Sequence, residues 1–152
     1  MQGRVEVVPT PGKDYTILID YAHTPDSMVN VLQTVKEFAK GRTVAVFGCG
    51  GDRDKTKRPR MGKAAADWSD FAIVTTDNPR TEEPAAIIRD ILPGFDGSNT
   101  PYEVVEDRVE AIRWAMDHAQ KDDVIVLCGK GHETYQLSLI HISEPTRLRR
   151  IS

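Results

Sequence analysis

Short, almost continuously apolar runs recur along this chain, and a helix-like segment separates each run from the next. The clearest runs are residues 15–19, 43–47, 71–74 and 124–127. A strand that is buried on both faces has this pattern, whereas a strand with one face in water alternates apolar and polar residues. The alternation of such strands with helices therefore predicts an α/β fold, a Rossmann-like and mostly parallel sheet with helices on both faces.

The helices of this fold have recognisable boundaries. Thr24, Pro25 and Asp26 are typical of a helix N-terminus, and Gly41 is typical of the position after a helix end. The predicted buried face of this first helix consists of Val29, Leu32, Val35 and Phe38. Further elements are predicted as a helix through Met61, Ala65 and Trp68, helices at 84–92 and 108–118, and a short strand at 102–105.

The chain divides into three parts. Residues 15–136 form the predicted domain, and residues 1–14 are either an extra strand or a linker from a missing upstream domain. Residues 137–152 differ, because they combine three arginines with one glutamate and Pro145 interrupts their apolar pattern. They also resemble the translation of a sequencing adaptor or vector joint. We therefore treat this tail as foreign to the fold.

The composition excludes several classes of protein. With 152 residues, 39% of them hydrophobic and 28% charged, the chain is long and apolar enough for one globular domain. A net charge of −3 gives no support for binding nucleic acid, and no apolar run is long enough to span a bilayer. The cysteines are Cys49 and Cys128, a usage that predicts a reducing cytoplasm rather than a disulfide scaffold.

Polar clusters follow four of the predicted strands at the points where those strands end. The clusters are residues 20–23, 48–60, 77–80 and 129–133. In parallel sheets, ligands bind outside the carboxyl ends of the strands. We therefore expect the four clusters to line one shared site.

The segment Asp77-Asn78-Pro79-Arg80 is the most informative of these clusters. Pro79 stiffens the turn and disfavours a helical conformation at Asn78, so the polar side chains should point outward. A planar guanidinium beside an amide is suited to a two-point contact with a carboxylate, and Asp77 can orient the pair. The segment therefore predicts a small ligand that carries a carboxylate.

The other clusters leave alternatives open. Asp20 could accept hydrogen bonds from ribose hydroxyls or could cap the turn, and His23 could contact a phosphate or a base. Arg53 stands among glycines whose N–H groups can approach an anion, although a solvated charged loop explains most of the nearby lysines. Glu133 could pair with an ammonium group of a ligand.

Several familiar sites are disfavoured. The chain has no dinucleotide fingerprint, because Arg53 stands where the third glycine would be, and it has no Walker loop. Its histidines, cysteines and acids lack the close spacing of a zinc motif. Cys49 and Cys128 lack the Cys-x-x-Cys spacing of a redox pair. We therefore predict no metal site in this domain.

Three of the clusters together resemble the C-terminal domain of the Mur ligases. The matching segments are Asp-Tyr-Ala-His-Thr-Pro-Asp at 20–26, Gly-Cys-Gly-Gly-Asp-Arg-Asp-Lys at 48–55 and Gly-Lys-Gly-His-Glu at 129–133. The similarity extends from residue 3 to residue 136. Within the family, Asp-Asn-Pro-Arg, found here at 77–80, is the signature for meso-diaminopimelate rather than L-lysine.

The resemblance implies a role for each matching residue. The distal carboxylate of diaminopimelate would be held by Arg53, Asn78 and Arg80. The distal ammonium group would be held by Glu133 and the backbone of Gly129, and the signature segment would be oriented by Asp77. The ATP nucleotide would face Arg4, Asp20 and His23, with Asp20 on the ribose.

The resemblance also implies an activity, the ATP-dependent addition of meso-diaminopimelate to UDP-MurNAc-L-Ala-D-Glu in peptidoglycan synthesis. ATP and Mg²⁺ would be bound mainly by a central domain, and the UDP-linked substrate by further domains, all missing from this chain. The present domain would deliver the amino acid and close over ATP, with no catalytic residue of its own. The chain alone is then expected to be inactive. The alternative is a non-catalytic amino-acid- or nucleotide-binding module on the same scaffold.

Overall fold

The computed structural model describes residues 5–8, 10, 12–21, 24–51, 54–77 and 80–129. Within these residues, six strands form one sheet: β1 (Val5–Val8), β2 (Thr16–Asp20), β3 (Thr43–Cys49), β4 (Phe71–Thr76), β5 (Tyr102–Val104) and β6 (Val124–Cys128). Their order across the sheet is β1-β2-β6-β3-β4-β5. β1 pairs antiparallel with β2, and every other pair is parallel. The predicted mostly parallel sheet is confirmed.

The described helices cover both faces of the sheet, as predicted. They are α1 (Pro25–Phe38), α2 (Lys57–Trp68), α3 (Pro84–Ile91) and α4 (Arg108–Asp117), and a 3₁₀ turn at Leu92–Phe95 follows α3. The buried side chains of α1, α2 and α3 belong to one hydrophobic core, and those of α4 belong to a second core. Among the described residues, no helix has the length and apolarity that a membrane crossing requires.

Strand β6 shows why the apolar runs are continuous. Val126 and Cys128 lie in the core beneath α1, α2 and α3, whereas Ile125 and Leu127 lie in the core beneath α4. Successive side chains of a strand point to opposite faces of the sheet. Both faces of this strand are covered, so every residue along it is apolar.

The first helix begins where the sequence predicts. Thr24 is the N-cap residue of α1, and its Oγ1 accepts a hydrogen bond of 3.1 Å from the backbone N–H of Ser27. Such a bond satisfies one of the four N–H groups that lack a partner at a helix start. Pro25 occupies the first turn, where a missing N–H costs nothing.

The predicted buried face of α1 is partly wrong. Leu32 and Val35 are buried, but Phe38 is 56% exposed. The buried stripe instead includes Met28 and Val31, which precede Leu32 and Val35 at helical spacing. Phe38 is the last residue of the helix, and the next residue, Ala39, packs against the core instead.

Several boundaries differ from the prediction. β3 and β4 extend to Cys49 and Thr76, because the two strands continue to pair in parallel register to these residues. α2 begins at Lys57, within the segment that was predicted as a loop. Of the two alternatives for residues 1–14, the structure shows a strand at Val5–Val8.

Candidate functional site

The carboxyl ends of four neighbouring strands meet at one edge of the sheet. β2, β6, β3 and β4 lie side by side in that order, and their last residues are Asp20, Cys128, Cys49 and Thr76. The segments that follow these residues are the four polar clusters of the sequence. The structure therefore confirms that the clusters begin at a common edge.

Asp77 and Gly129 approach each other at this edge. Gly129 has a φ of +118°, a conformation that side-chain-bearing residues rarely adopt. A Cβ atom built on Gly129 would lie 3.9 Å from Oδ2 of Asp77. The N–H of Gly129 donates to the carbonyl of Asp20 at 3.1 Å, so the backbone after β6 is tied to the end of β2. These two predicted site residues are thus adjacent in space.

Arg80 connects the segment after β4 to the glycine-rich segment after β3. Its Nη1 donates a hydrogen bond of 2.8 Å to the carbonyl oxygen of Gly51. The residue is exposed and has a φ of +52°, which is unusual for a residue other than glycine. Asp77 makes a second connection, because its N–H donates to the carbonyl of Cys49 at 3.4 Å.

Asp20 lies deeper than its predicted role suggests. It is the last residue of β2 and only 2% exposed, and it faces Cys128 across the β2–β6 pair. Its interactions are with protein groups. A contact between Asp20 and a ribose remains a prediction.

Five of the predicted site residues lie outside the described residues. They are Arg4, His23, Arg53, Asn78 and Glu133. The roles predicted for them, on the nucleotide or on the amino-acid ligand, remain predictions.

Arg58 also lies at this edge, although the sequence indicated only that it is charged and not that it has a structural role. Its side chain is 1% exposed and forms ion pairs with Glu82 and Asp90, each at 2.9 Å. Its Nη2 also donates to the carbonyl oxygen of Gly50 at 3.0 Å. The hydrogen bond to Glu82 raises the pKa of the guanidinium, so Arg58 remains charged.

Arg108, the first residue of α4, is a second arginine that the sequence analysis missed. Its Nη2 donates to the carbonyl oxygen of Cys128 at 3.2 Å. Its Nε and Nη1 are buried and have no hydrogen-bond partner in the part of the chain that is described. Burial lowers the pKa of Arg108, and the nearby carboxylate of Asp77 acts in the opposite direction. Arg108 therefore places a positive charge near the carboxylate of Asp77.

The two thiols at this edge are free and chemically quiet. Cys49 is partly buried and Cys128 is fully buried. Burial raises the pKa of each thiol from an ordinary value of 9.0 to about 12. A thiolate is the reactive form of cysteine, so neither residue is suited to nucleophilic catalysis near neutral pH.

The described part of the edge carries charges of both signs. Asp77 supplies a carboxylate, and Arg80 supplies a guanidinium on the same short segment. The guanidinium is suited to the carboxylate group of a ligand. No group of three or more potential metal ligands occurs among the described residues.

Known proteins are similar to this chain over most of its length. The model of the family described as "Mur ligase, glutamate ligase domain" matches residues 3–131. Two UDP-N-acetylmuramoyl-L-alanyl-D-glutamate–2,6-diaminopimelate ligases are similar over 137 residues, or 90% of this chain. The relative from Caldanaerobacter subterraneus subsp. tengcongensis is 56% identical, and the one from Clostridioides difficile is 55% identical. The chain spans 28% of the length of each relative.

A solved structure of an enzyme with the same name is also similar. It superimposes with a TM-score of 0.77 at 44% sequence identity, over 88% of this chain and 27% of that one. The agreement extends from sequence to the arrangement of strands and helices.

Proposed function

Because the chain belongs to the Mur ligase family and matches its glutamate ligase domain, we propose that it is the C-terminal part of an ATP-dependent amide ligase. The ligase adds meso-diaminopimelate to UDP-MurNAc-L-Ala-D-Glu during peptidoglycan synthesis in the cytoplasm. The names of the two curated relatives support this substrate assignment. The chain spans 28% of their length, so the remaining substrate contacts are assigned to the rest of the enzyme.

The observation that carries the proposal is that Gly129 lies beside Asp77, while Asp77 and Arg80 both donate to carbonyl groups at the end of β3 and in the loop after it. In the proposal, Arg80 binds the distal carboxylate of diaminopimelate, together with Arg53 and Asn78. The distal ammonium group binds Glu133 and the backbone of Gly129, and Asp77 orients the segment. A guanidinium suits the first task, because its planar donors match the two oxygens of a carboxylate.

The chemistry proposed for the whole enzyme has two steps. The D-glutamate carboxylate attacks the γ-phosphoryl group of ATP, which gives an acyl phosphate and releases ADP. The amine of diaminopimelate then attacks the acyl carbon, loses a proton and expels phosphate, which forms the amide. This domain holds the amine in line with the acyl phosphate and closes over the nucleotide, so its contribution is one of positioning.

The nucleotide is assigned partly to this domain, whereas its metal ion is assigned to another domain of the enzyme. We propose that Arg4, Asp20 and His23 face ATP from this domain. Among the described residues, no three or more potential ligands gather into a site for Mg²⁺. The ion, which would neutralise phosphate charge, is assigned to the central domain with most of the ATP contacts.

Selectivity against L-lysine follows from the same contacts. Lysine lacks the distal carboxylate, so binding it would leave the guanidinium of Arg80 without its anionic partner in a closed site. Sites built on charge-assisted hydrogen bonds reject analogues that leave such groups unpaired. We therefore expect a strong preference for diaminopimelate.

Two-dimensional NMR of the labelled chain tests this proposal. With meso-diaminopimelate, the backbone amides of Gly51, Asp77 and Gly129 should shift in a saturable way, whereas L-lysine should shift them only at much higher concentrations. In Arg80→Gln the affinity should fall by about tenfold or more, because a hydrogen bond to a charged group is lost. Arg113→Gln removes an exposed arginine from α4 and is the matched control, which should bind as the unaltered chain does.

Equal amide shifts with diaminopimelate and L-lysine would contradict the proposed site. So would equal losses of affinity in Arg80→Gln and Arg113→Gln. The isolated chain should also release no phosphate from ATP in the presence of all substrates. Phosphate release that depends on diaminopimelate would contradict the assignment of catalysis to the missing domains.

A further inference from the structure

A buried guanidinium connects the two loops of the proposed site. Arg58 lies in the first turn of α2, and its fork of donors reaches both loops. One loop follows β3, where Nη2 of Arg58 donates to the carbonyl of Gly50 at 3.0 Å. The other follows β4, where Nη1 and Nη2 donate to the two carboxylate oxygens of Glu82 at 3.1 and 2.9 Å.

The loop after β3 is held through three consecutive carbonyl groups. The carbonyls of Cys49, Gly50 and Gly51 accept hydrogen bonds from the N–H of Asp77, from Arg58 and from Arg80, respectively. Two of these donors belong to the loop after β4. Arg58 supplies the third donor and also holds Glu82, two residues beyond Arg80. The contacts thus form a closed ring that includes Arg80.

The shape of the guanidinium group makes arginine suited to the centre of this ring. A buried ion pair is a weak source of net stability, since desolvation of the charges offsets much of their attraction. What a guanidinium provides is a rigid, planar set of donors that fixes the relative positions of several acceptors. Lysine has a single ammonium group on a flexible stem and cannot hold the same acceptors in a fixed plane.

We propose that Arg58 is a positioning residue that sets the spacing between the two loops, and thereby places Arg80 for recognition of a carboxylate on the amino-acid ligand. This inference rests on the proposed function of the site. Displacement of a contact group by about 1 Å can weaken a preorganised site by orders of magnitude. Loss of the fork should therefore reduce the discrimination between diaminopimelate and lysine, although Arg58 itself does not contact the ligand.

The substitution Arg58→Lys tests the role of the fork while a positive charge is kept. Dissociation constants for meso-diaminopimelate and L-lysine are measured by NMR titration of the full 152-residue chain. We expect the affinity for diaminopimelate to fall about tenfold, and the preference over lysine to fall by the same factor. Without any ligand, the Gly51 amide and the Arg80 Nε–H signals should also shift.

Arg42→Lys is the matched control. Arg42 forms a comparable forked contact with Asp123, through Nε at 3.1 Å and Nη2 at 2.7 Å. This pair lies at the opposite edge of the sheet, next to the starts of β3 and β6. The control should lose stability as Arg58→Lys does, yet keep the ligand preference and the Gly51 and Arg80 signals.

Asp90→Asn is a second control within the same ion-pair cluster. Asp90 lies on α3 and accepts from Nη1 of Arg58 at 2.9 Å, but it belongs to neither loop. Its substitution removes one ion pair and leaves the contacts to Gly50 and Glu82 in place. The preference for diaminopimelate should therefore persist. A loss equal to that in Arg58→Lys would show a general effect of stability and would overturn the proposal.

The outcomes separate this inference from the proposed function. If the unaltered chain binds diaminopimelate and Arg58→Lys binds it equally well, the positioning role is wrong. If diaminopimelate shifts no amide of the unaltered chain, the proposed function fails for this chain. The Gly51 and Arg80 signals measured without ligand then test the positioning role of Arg58. Shifts of these signals in Arg58→Lys but not in Arg42→Lys support that role, and unchanged signals overturn it. Should Arg58→Lys not fold, Glu82→Gln replaces it with the same expected directions.

Discussion

Two cysteines show how burial controls chemistry at the scale of single residues. Cys49 ends β3 and Cys128 ends β6, both beside the proposed site. The pKa of each thiol is raised to about 12, mainly by burial. The unfolded chain exposes both thiols, where they titrate near 9.0. The folded chain therefore retains protons that the unfolded chain loses as the pH rises.

This difference predicts a loss of stability in alkaline solution. Between pH 9 and pH 12, each thiol should lower the free energy of unfolding by about 1.4 kcal/mol per pH unit, since only the unfolded chain ionises there. Below pH 9 the contribution is constant. Urea unfolding at several pH values measures the slope, and a Cys49→Ala, Cys128→Ala double variant should show a shallower one. Equal slopes would show that the thiols ionise equally in both states.

The pairing of β3 and β4 depends, at the scale of elements, on one glycine. Gly48 faces Thr75 in the parallel register, near the carboxyl ends of the two strands. A Cβ atom at residue 48 would overlap the carbonyl oxygen of Thr75. A glycine within a strand otherwise weakens it, so its presence here reflects the close approach of the two backbones.

Gly48→Ala should destabilise the domain by about 1–3 kcal/mol, the usual range for overpacking a tight interior. The contacts are backbone atoms, which cannot rotate away. Gly97→Ala is the comparison, because its Cβ would meet no atom within 4 Å but its φ is +80°. That variant should lose about 1–2 kcal/mol from backbone strain alone. Thermal or urea unfolding measures both, and no loss in Gly48→Ala would contradict the close approach.

The whole molecule is organised by the two edges of its sheet. At the amino edge, Arg42 and the fully buried carboxylate of Asp123 form an ion pair beside the starts of β3 and β6. At the carboxyl edge, Arg58 is buried and Arg108 is partly buried beside segments that bear the proposed ligand contacts. The first pair joins the starts of two strands, whereas Arg58 and Arg108 bond to carbonyl groups at the ends of β3 and β6, next to the proposed site.

The foreign sequence pattern of residues 137–152 predicts that they are dispensable for folding. A chain that ends at Gln136 should therefore keep its free energy of unfolding to within about 1 kcal/mol, the size of a typical single substitution. A chain that ends at Asp123 loses β6 from the centre of the sheet and should not fold. A larger loss in the first variant would show that the tail packs against the domain.

Local patterns explain why most elements could be predicted. Burial on both faces produces continuous apolar strands, and the capping geometry of Thr24 depends on neighbouring residues alone. The boundaries were less accurate, since β3 reaches Cys49 only through its pairing with β4. The exposure of Phe38 likewise depends on tertiary packing, since the next residue, Ala39, packs against the core in its place.

The sequence by itself determined the class of fold, the order of strands and helices and the polar segments that follow the strands, because these follow from short-range periodicity and turn chemistry. Tertiary structure alone decided that β6 lies between β2 and β3, which brings Gly129 to Asp77. It also decided the partners of Arg58, which are 24 and 32 residues away in the chain at Glu82 and Asp90. An arginine in a charged segment has the same sequence signature whether it is solvated or buried. Its environment depends on packing between distant elements, and local sequence patterns do not encode that packing.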